Sequence, residues 1–202
     1  MTIFMILAPY GVYAMLMLVA SATLSMAVGA ALCVAMVVAD LVRGRSIKLL
    51  AAGSAIVFAS VALYRAVGDP GMSATAVKLT IDGGIFAISL GSMLLRMPFT
   101  LQYAIESVPA ETAAMPGFLR ANYVITGAWT GALLLMMIGN VMMIYVPGLP
   151  FWTGLAIAFA ARNSALYFTK WYPTYRRLKD GAAQPAVARS GNDIMIDPRE
   201  PA

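Results

Sequence analysis

The stretch Ile3 to Ala39, IFMILAPYGVYAMLMLVASATLSMAVGAALCVAMVVA, carries no Lys, Arg, Asp or Glu. At 1.5 Å per residue, a helix of about 37 residues would be roughly 55 Å long. The hydrocarbon core of a bilayer is about 30 Å thick. The run is too long for one crossing and about right for two, so it reads as a membrane hairpin. Its polar interruption, Ser21-Ala22-Thr23-Leu24-Ser25, is the expected turn. The rest of the chain repeats the pattern in shorter apolar blocks, with charged residues gathered at the joints.

Composition agrees. Of 202 residues, 61% are hydrophobic and 11% charged, where a soluble domain carries about 25% charged residues. The formal net charge is +5. The basic residues sit at the ends of apolar runs, so the positive-inside rule accounts for them better than nucleic acid does. There is no histidine and one cysteine, Cys33. Those absences exclude His-ligated haem or zinc, His general bases, Ser-His-Asp triads, Cys-rich metal sites and any intrachain disulfide. The N-terminus lacks a basic region and a convincing cleavage site, so it is expected to be a retained helix and not a signal peptide.

The expected fold class is all-α, a polytopic transmembrane bundle of about six spans. These are residues Ile3 to Ala20, Met26 to Leu41, Leu49 to Tyr64, Val77 to Leu95, Asn122 to Tyr145 and Phe151 to Phe168. Asp69-Pro70-Gly71 and Val146-Pro147-Gly148-Leu149-Pro150 are loop signals. A polar connection, residues 96–121, holds Pro98, Pro109 and Pro116, and Pro98 is placed to start a short surface helix. The bundle is expected over residues 1–180, followed by a flexible tail over 181–202. Most Lys and Arg fall at Arg43-Arg45-Lys48, in the 96–120 connection and after Lys170. Only Arg65 and Lys78 fall on the other side, so both termini are expected in the cytoplasm. A five-span arrangement, with part of the first run re-entrant, fits that asymmetry less well.

Within lipid, helices associate largely through close packing of small residues. Ala27, Ala31, Ala35 and Ala39 form an i+4 stripe on the second span, and Ala52, Ala55, Ala59 and Ala62 a face on the third. The fourth has Gly84, Ala87 and Gly91. The fifth has the GxxxG pair Gly127 and Gly131, then Gly139. The sixth has Gly154, Ala158, Ala161 and Ala165. All are expected helix-packing positions, and some would serve an oligomer.

Ionisable groups inside a membrane are functional candidates because they are costly to place there. Asp82 follows Lys78 at i+4, which suggests an interfacial pair; the alternative is an Asp82 that faces a cavity and binds a cation or proton. Arg162, followed by Asn163 and Ser164, either snorkels or needs a partner, and Asp40 at the end of the second span is expected at its depth. Such a pair would fix register, while Arg162 with Asn163 and Ser164 would suit an anion. Asn140 is expected to bond between helices. Glu106 and Glu111 read as solvated surface carboxylates. No phosphate loop, HExxH or GxSxG motif is present, and no cofactor or metal is expected.

The string Pro98-Phe99-Thr100-Leu101-Gln102-Tyr103-Ala104 resembles a segment of uncharacterised bacterial inner-membrane proteins. The layout over about residues 3–107 is a close helix pair, a basic joint, then two spans ending in a basic-x-Pro loop. It resembles the intracellular septation protein A group. That resemblance implies a multi-pass protein of the bacterial inner membrane linked to envelope or division functions, with no catalytic residues to carry over. The expected function is a non-catalytic, envelope-organising or complex-partner role, and an enzyme is disfavoured. The alternative is a small transporter or channel using Asp82 and Arg162. The expected partners are the lipid bilayer and a second copy or another membrane protein, with no nucleic acid.

Overall fold

The computed structural model describes residues 3–150 and 152–183, excluding the side chains of 3–7 and 180–183. Every regular element among them is an α-helix: α1 Ile3–Val19, α2 Ala22–Val42, α3 Leu49–Val67, α4 Ala74–Leu94, α5 Phe99–Ile105, α6 Ala110–Ala113, α7 Pro116–Tyr145 and α8 Trp152–Ala183. Four of these, α2, α3, α4 and α7, are long and apolar enough to cross a membrane. α1 is a shorter apolar helix over Ala8–Val19.

The helix ends follow local chemistry. The chain turns at Ala20-Ser21, earlier than expected. Ser21 caps α2, its hydroxyl accepting from Leu24 N at 3.3 Å, and Ser25 lies inside the helix with its own hydroxyl on Ser21 O. Ser73 caps α4 in the same way through Ala76 N. These side chains satisfy amides that have no partner within their helix. α2 ends on Gly44, whose φ of 65° suits a residue without a Cβ. α4 ends on Arg96 at φ 59°, a left-handed position taken by a non-glycine residue. α7 starts at Pro116, six residues before the expected start, with proline in its first turn. α8 runs through Pro173 to Ala183 instead of stopping near Phe168. The expected flexible tail lies, from residue 184 on, outside the described residues.

The long helices pack in a row: α1 on α2, α2 on α3, α3 on α4, α4 on α7 and α7 on α8. The row curls, because side chains of α1 reach α3 while α1 and α8 both border the same interior cavity. Among the described residues α1 and α8 pack on one another less closely than neighbouring helices of the row do. The core is centred on Phe58, which is fully buried and meets Tyr13 edge-on at 5.1 Å between ring centroids. The outward faces carry large apolar side chains, including Val34, Ile56, Leu63, Leu94, Leu135 and Phe159. A continuous surface of this kind suits lipid and would drive aggregation in water.

The small-residue stripes divide. A Cβ on Gly84 would lie 2.7 Å from Val57, one on Gly53 2.7 Å from Ile88, and one on Gly139 3.1 Å from Ile157. Those glycines allow close helix contact. Ala161 and Ala165 are buried as expected. Ala27, Ala31 and Ala35 are exposed, and the buried face of α2 is instead Met26, Gly29, Cys33 and Asp40. Gly91 and Gly131 face open space, and Gly127 meets only the end of Met93. Small residues mark where approach is allowed; the larger side chains opposite decide which of them is used.

The string 98–104 closes one end of the bundle. Phe99 is buried and its N–H donates to Ser92 Oγ. Thr100 Oγ1 donates to Asn122 O at 3.0 Å and meets Thr126 Oγ1 at 2.7 Å. Gln102 Oε1 accepts from Leu49 N at 2.7 Å, serving the first turn of α3, whose cap residue offers no side-chain bond. α5 thus ties α3, α4 and α7 together.

Candidate functional site

A cavity of about 430 Å³ lies inside the curled row, bordered by α1, α3, α4, α5, α7 and α8. That volume falls within the usual range for a small-molecule site. Its walls are mainly apolar, with Leu50, Ile85, Ile125, Leu133 and Leu155 among them. Polar residues also line it: Asp82 and Arg162, the tyrosines Tyr10, Tyr13 and Tyr103, and Trp129. Trp129 Nε1 is already committed to Thr169 Oγ1 at 2.9 Å, and Tyr10 to Ser54. The Tyr13 hydroxyl is buried and has no hydrogen-bond partner, on a residue only 4% exposed.

Asp82 does not pair directly with Lys78. Asn140 of α7 stands between them: its Nδ2 donates to Asp82 Oδ2 at 2.6 Å, and its Oδ1 accepts from Lys78 Nζ at 3.1 Å. An amide can do this because one end donates and the other accepts. Asn140 therefore makes the interhelical bonds expected of it and holds the carboxylate on the cavity wall.

Arg162 forms no ion pair with Asp40. The expected depth match rested on ending the last helix near Phe168, which placed Arg162 two thirds of the way along. Because α8 continues to Ala183, Arg162 lies in its first third. Gly83 lies by Met137, Gly139 by Ile157, and Trp129 bonds Thr169, so antiparallel register puts Arg162 level with Ile85, roughly one turn deeper than Asp82. The level of Asp40 is roughly two and a half turns further on. The guanidinium lies across Gly11 of α1, 3.6 Å from where a Cβ would stand. Arg162 thus reaches from one end of the row to the other. Asn163 points away from the cavity, exposed, with Nδ2 on Phe159 O, so it does not join Arg162 in an anion site.

Asp40 belongs to a second polar group at the α5 end. It is 1% exposed and Oδ1 has no partner. Near it, Lys48 is fully buried and ion-paired with Glu106, and its ammonium also donates to Ser46 O at 3.1 Å and stands 5.9 Å from the Tyr103 ring centroid. Glu106 is exposed, as expected of a surface carboxylate, and serves besides as the partner of Lys48. Burial above all, and then the nearby Asp40, push the Tyr103 phenol above its usual range, so it stays protonated.

Tyr10, Tyr13, Lys48 and Tyr103 are the site residues that sequence reasoning missed. Tyr10 and Tyr13, at i and i+3 inside a run without charges, offered the one available signal: two polar tips on one face of an otherwise apolar helix. Among the described residues no group of His, Cys, Asp and Glu could hold a metal ion.

These features define a helical bundle that includes four membrane-length helices and encloses a largely apolar cavity lined by one acid and one base. Comparison with known proteins gives no match to a family model, a curated protein or a solved structure.

Proposed function

We propose that this chain is a multi-pass membrane protein with six spans, α1 and α8 joining the four membrane-length helices. Both termini lie in the cytoplasm, and the cavity is the solute site of a small transporter. The observation that carries this reading is that Asp82 and Arg162, the two ionisable groups deepest in the apolar helices, line one cavity. Charges inside apolar helices are expensive, and they most often mark a substrate or ion path. The basic joints support the orientation. The resemblance of the 98–104 string supports a bacterial inner membrane.

Reconstitution in liposomes tests it, with flux measured for a panel of amines, carboxylates, phosphates and amphiphiles. Asp82→Asn and Arg162→Gln should each lower the flux of some solute at least tenfold. No flux across the panel, or flux indifferent to both changes, would falsify the reading.

A second reading is the envelope-organising or complex-partner role. It is favoured by the outward Ala27, Ala31 and Ala35 stripe, which nothing within the described chain covers. Small residues turned outward are what a neighbouring membrane helix needs for close approach.

A further inference from the structure

The chemistry of the cavity narrows the class of solute. We infer that it receives a single-chain zwitterionic amphiphile, with its amine at Asp82, its anionic group at Arg162 and its apolar tail in the cleft toward α5. The inference rests on the solute-site reading above and adds to it the nature of the ligand.

Four observations carry it. First, the two charged groups are of opposite sign and stand about one turn apart in level on α4 and α8. Among the described residues Arg162 has no acidic partner, while Asp82 is held by a neutral amide. A ligand with one charge of each sign satisfies both, whereas a simple ion leaves one of the two cavity charges unmatched. Second, Tyr13 lines the cavity from α1 with its hydroxyl buried and unpartnered, as is that of Tyr103 at the α5 end. Buried hydroxyls nearly always have a partner, and a phosphate or carboxylate oxygen would accept from it. Third, the lining continues from Asp82 past Ile85, Leu133 and Ile125 to Phe99 and Ser107 at the α5 end. By the same register this is roughly 20 Å of mainly apolar wall, longer than any amino-acid side chain and matched to an extended hydrocarbon chain. Fourth, among the described residues α1 and α8 both border the cavity but pack on each other less closely than neighbouring helices of the row do. A tailed ligand needs such a side entrance from lipid, and Arg162 across Gly11 stands at it. Once bound, the headgroup replaces water around both charges while the tail stays in surroundings like those it left.

The test uses the full chain in detergent or nanodiscs, with binding followed by native mass spectrometry and by fluorescence of the cavity tryptophan Trp129. Four probes separate the parts: lysophosphatidylethanolamine, lysophosphatidic acid without the amine, dodecylamine without the phosphate, and free leucine without the long tail. Lysophosphatidylethanolamine should bind at least tenfold more tightly than either single-charge probe. Its affinity should fall at least tenfold in both Asp82→Asn and Arg162→Gln. Lysophosphatidic acid should respond only to Arg162→Gln, and dodecylamine only to Asp82→Asn. Ile125→Trp, which narrows the tail path about 15 Å beyond the level of Arg162 and leaves both charges in place, should weaken the lysolipid and spare leucine. It also keeps the test open where a charge variant fails to fold, as circular dichroism would reveal. If leucine binds through Asp82 and Arg162 and the lysolipid does not, the amphiphile is wrong while the solute site stands. If no probe binds and no solute crosses in the liposome assay, both fail.

Discussion

In two places this molecule buries one charged side chain, Lys48 or Asp82, and gives it a more exposed counterpart of opposite sign, and the two are built in opposite ways. At the α5 end, Lys48 meets Glu106 directly, adds Ser46 and the face of Tyr103, and leaves no room between charges. Halfway along the bundle, Asp82 and Arg162 face a shared cavity, with Asn140 bracing the acid from behind. A buried pair in contact satisfies itself and serves mainly to fix geometry. A buried acid and a half-buried base that line one cavity without pairing leave part of their binding capacity for something else. The same residue types therefore close the bundle at one level and define a ligand site at another.

The largest effect expected from breaking that comparison lies at the closed pair. Glu106→Ala leaves the Lys48 ammonium buried without its carboxylate and should cost about 3 kcal/mol, the usual scale for an orphaned buried charge. Reversible unfolding in mixed micelles measures it. The double change Lys48→Met with Glu106→Gln should recover most of that loss, since it removes both charges together. If the single change costs less than about 1 kcal/mol, Lys48 reaches solvent and the contrast between the two levels weakens.

The matching change at the open site should separate stability from binding. In Asp82→Asn the new amide oxygen still accepts from Asn140, so the loss of stability should stay within about 1 kcal/mol. Solute binding or flux should nonetheless fall at least tenfold. A variant destabilised as much as Glu106→Ala would make Asp82 a structural group and its cavity incidental.

A smaller, purely steric test uses glycines of one apparent kind. Gly84→Val drives a branched side chain into Val57, already 2.7 Å from an added Cβ, and should cost about 1–3 kcal/mol, as overpacking does. Gly131→Val meets nothing within 4 Å and should be nearly silent. Equal costs at the two positions would mean that helix propensity, not contact, sets the price.

The sequence carried the helices well and their contacts poorly. Apolar run length and Pro-Gly punctuation placed the helices of the described region to within a few residues, apart from the unexpected α6, the early start of α7 and the long extension of α8. The extension matters most: Lys170 through Lys179 look like the end of a span, yet nothing in a basic, aromatic segment stops a helix, and even Pro173 is accommodated. That one boundary shifted the inferred depth of Arg162 and with it the expected partner. Asp82, Asn140 and Arg162 were legible because polar groups stand out in apolar runs. Tyr13 and Lys48 were not, since a tyrosine on a membrane helix and a lysine at a joint both have ordinary interfacial roles. Which face of α2 is buried was not legible either. Its alanine stripe and its Met26, Cys33 and Asp40 face are both compatible with helical periodicity, and only the position of Phe58 against Gly29 decides between them.

The smallest effect on folding should come from that outward stripe, and it bears on the second functional reading. Ala31→Leu adds bulk to a residue that faces away from the chain's own core, so the monomer's stability should change by no more than about 0.5 kcal/mol, as for surface positions without a named partner. If a neighbouring helix packs on α2, the added isobutyl group prevents the close backbone approach that small residues allow. A shift to smaller species in size-exclusion chromatography, or loss of a co-purifying membrane protein, would then appear without any loss of helicity. An unchanged assembly alongside intact solute binding would leave the stripe as ordinary lipid-facing surface and the cavity as the feature that defines this protein.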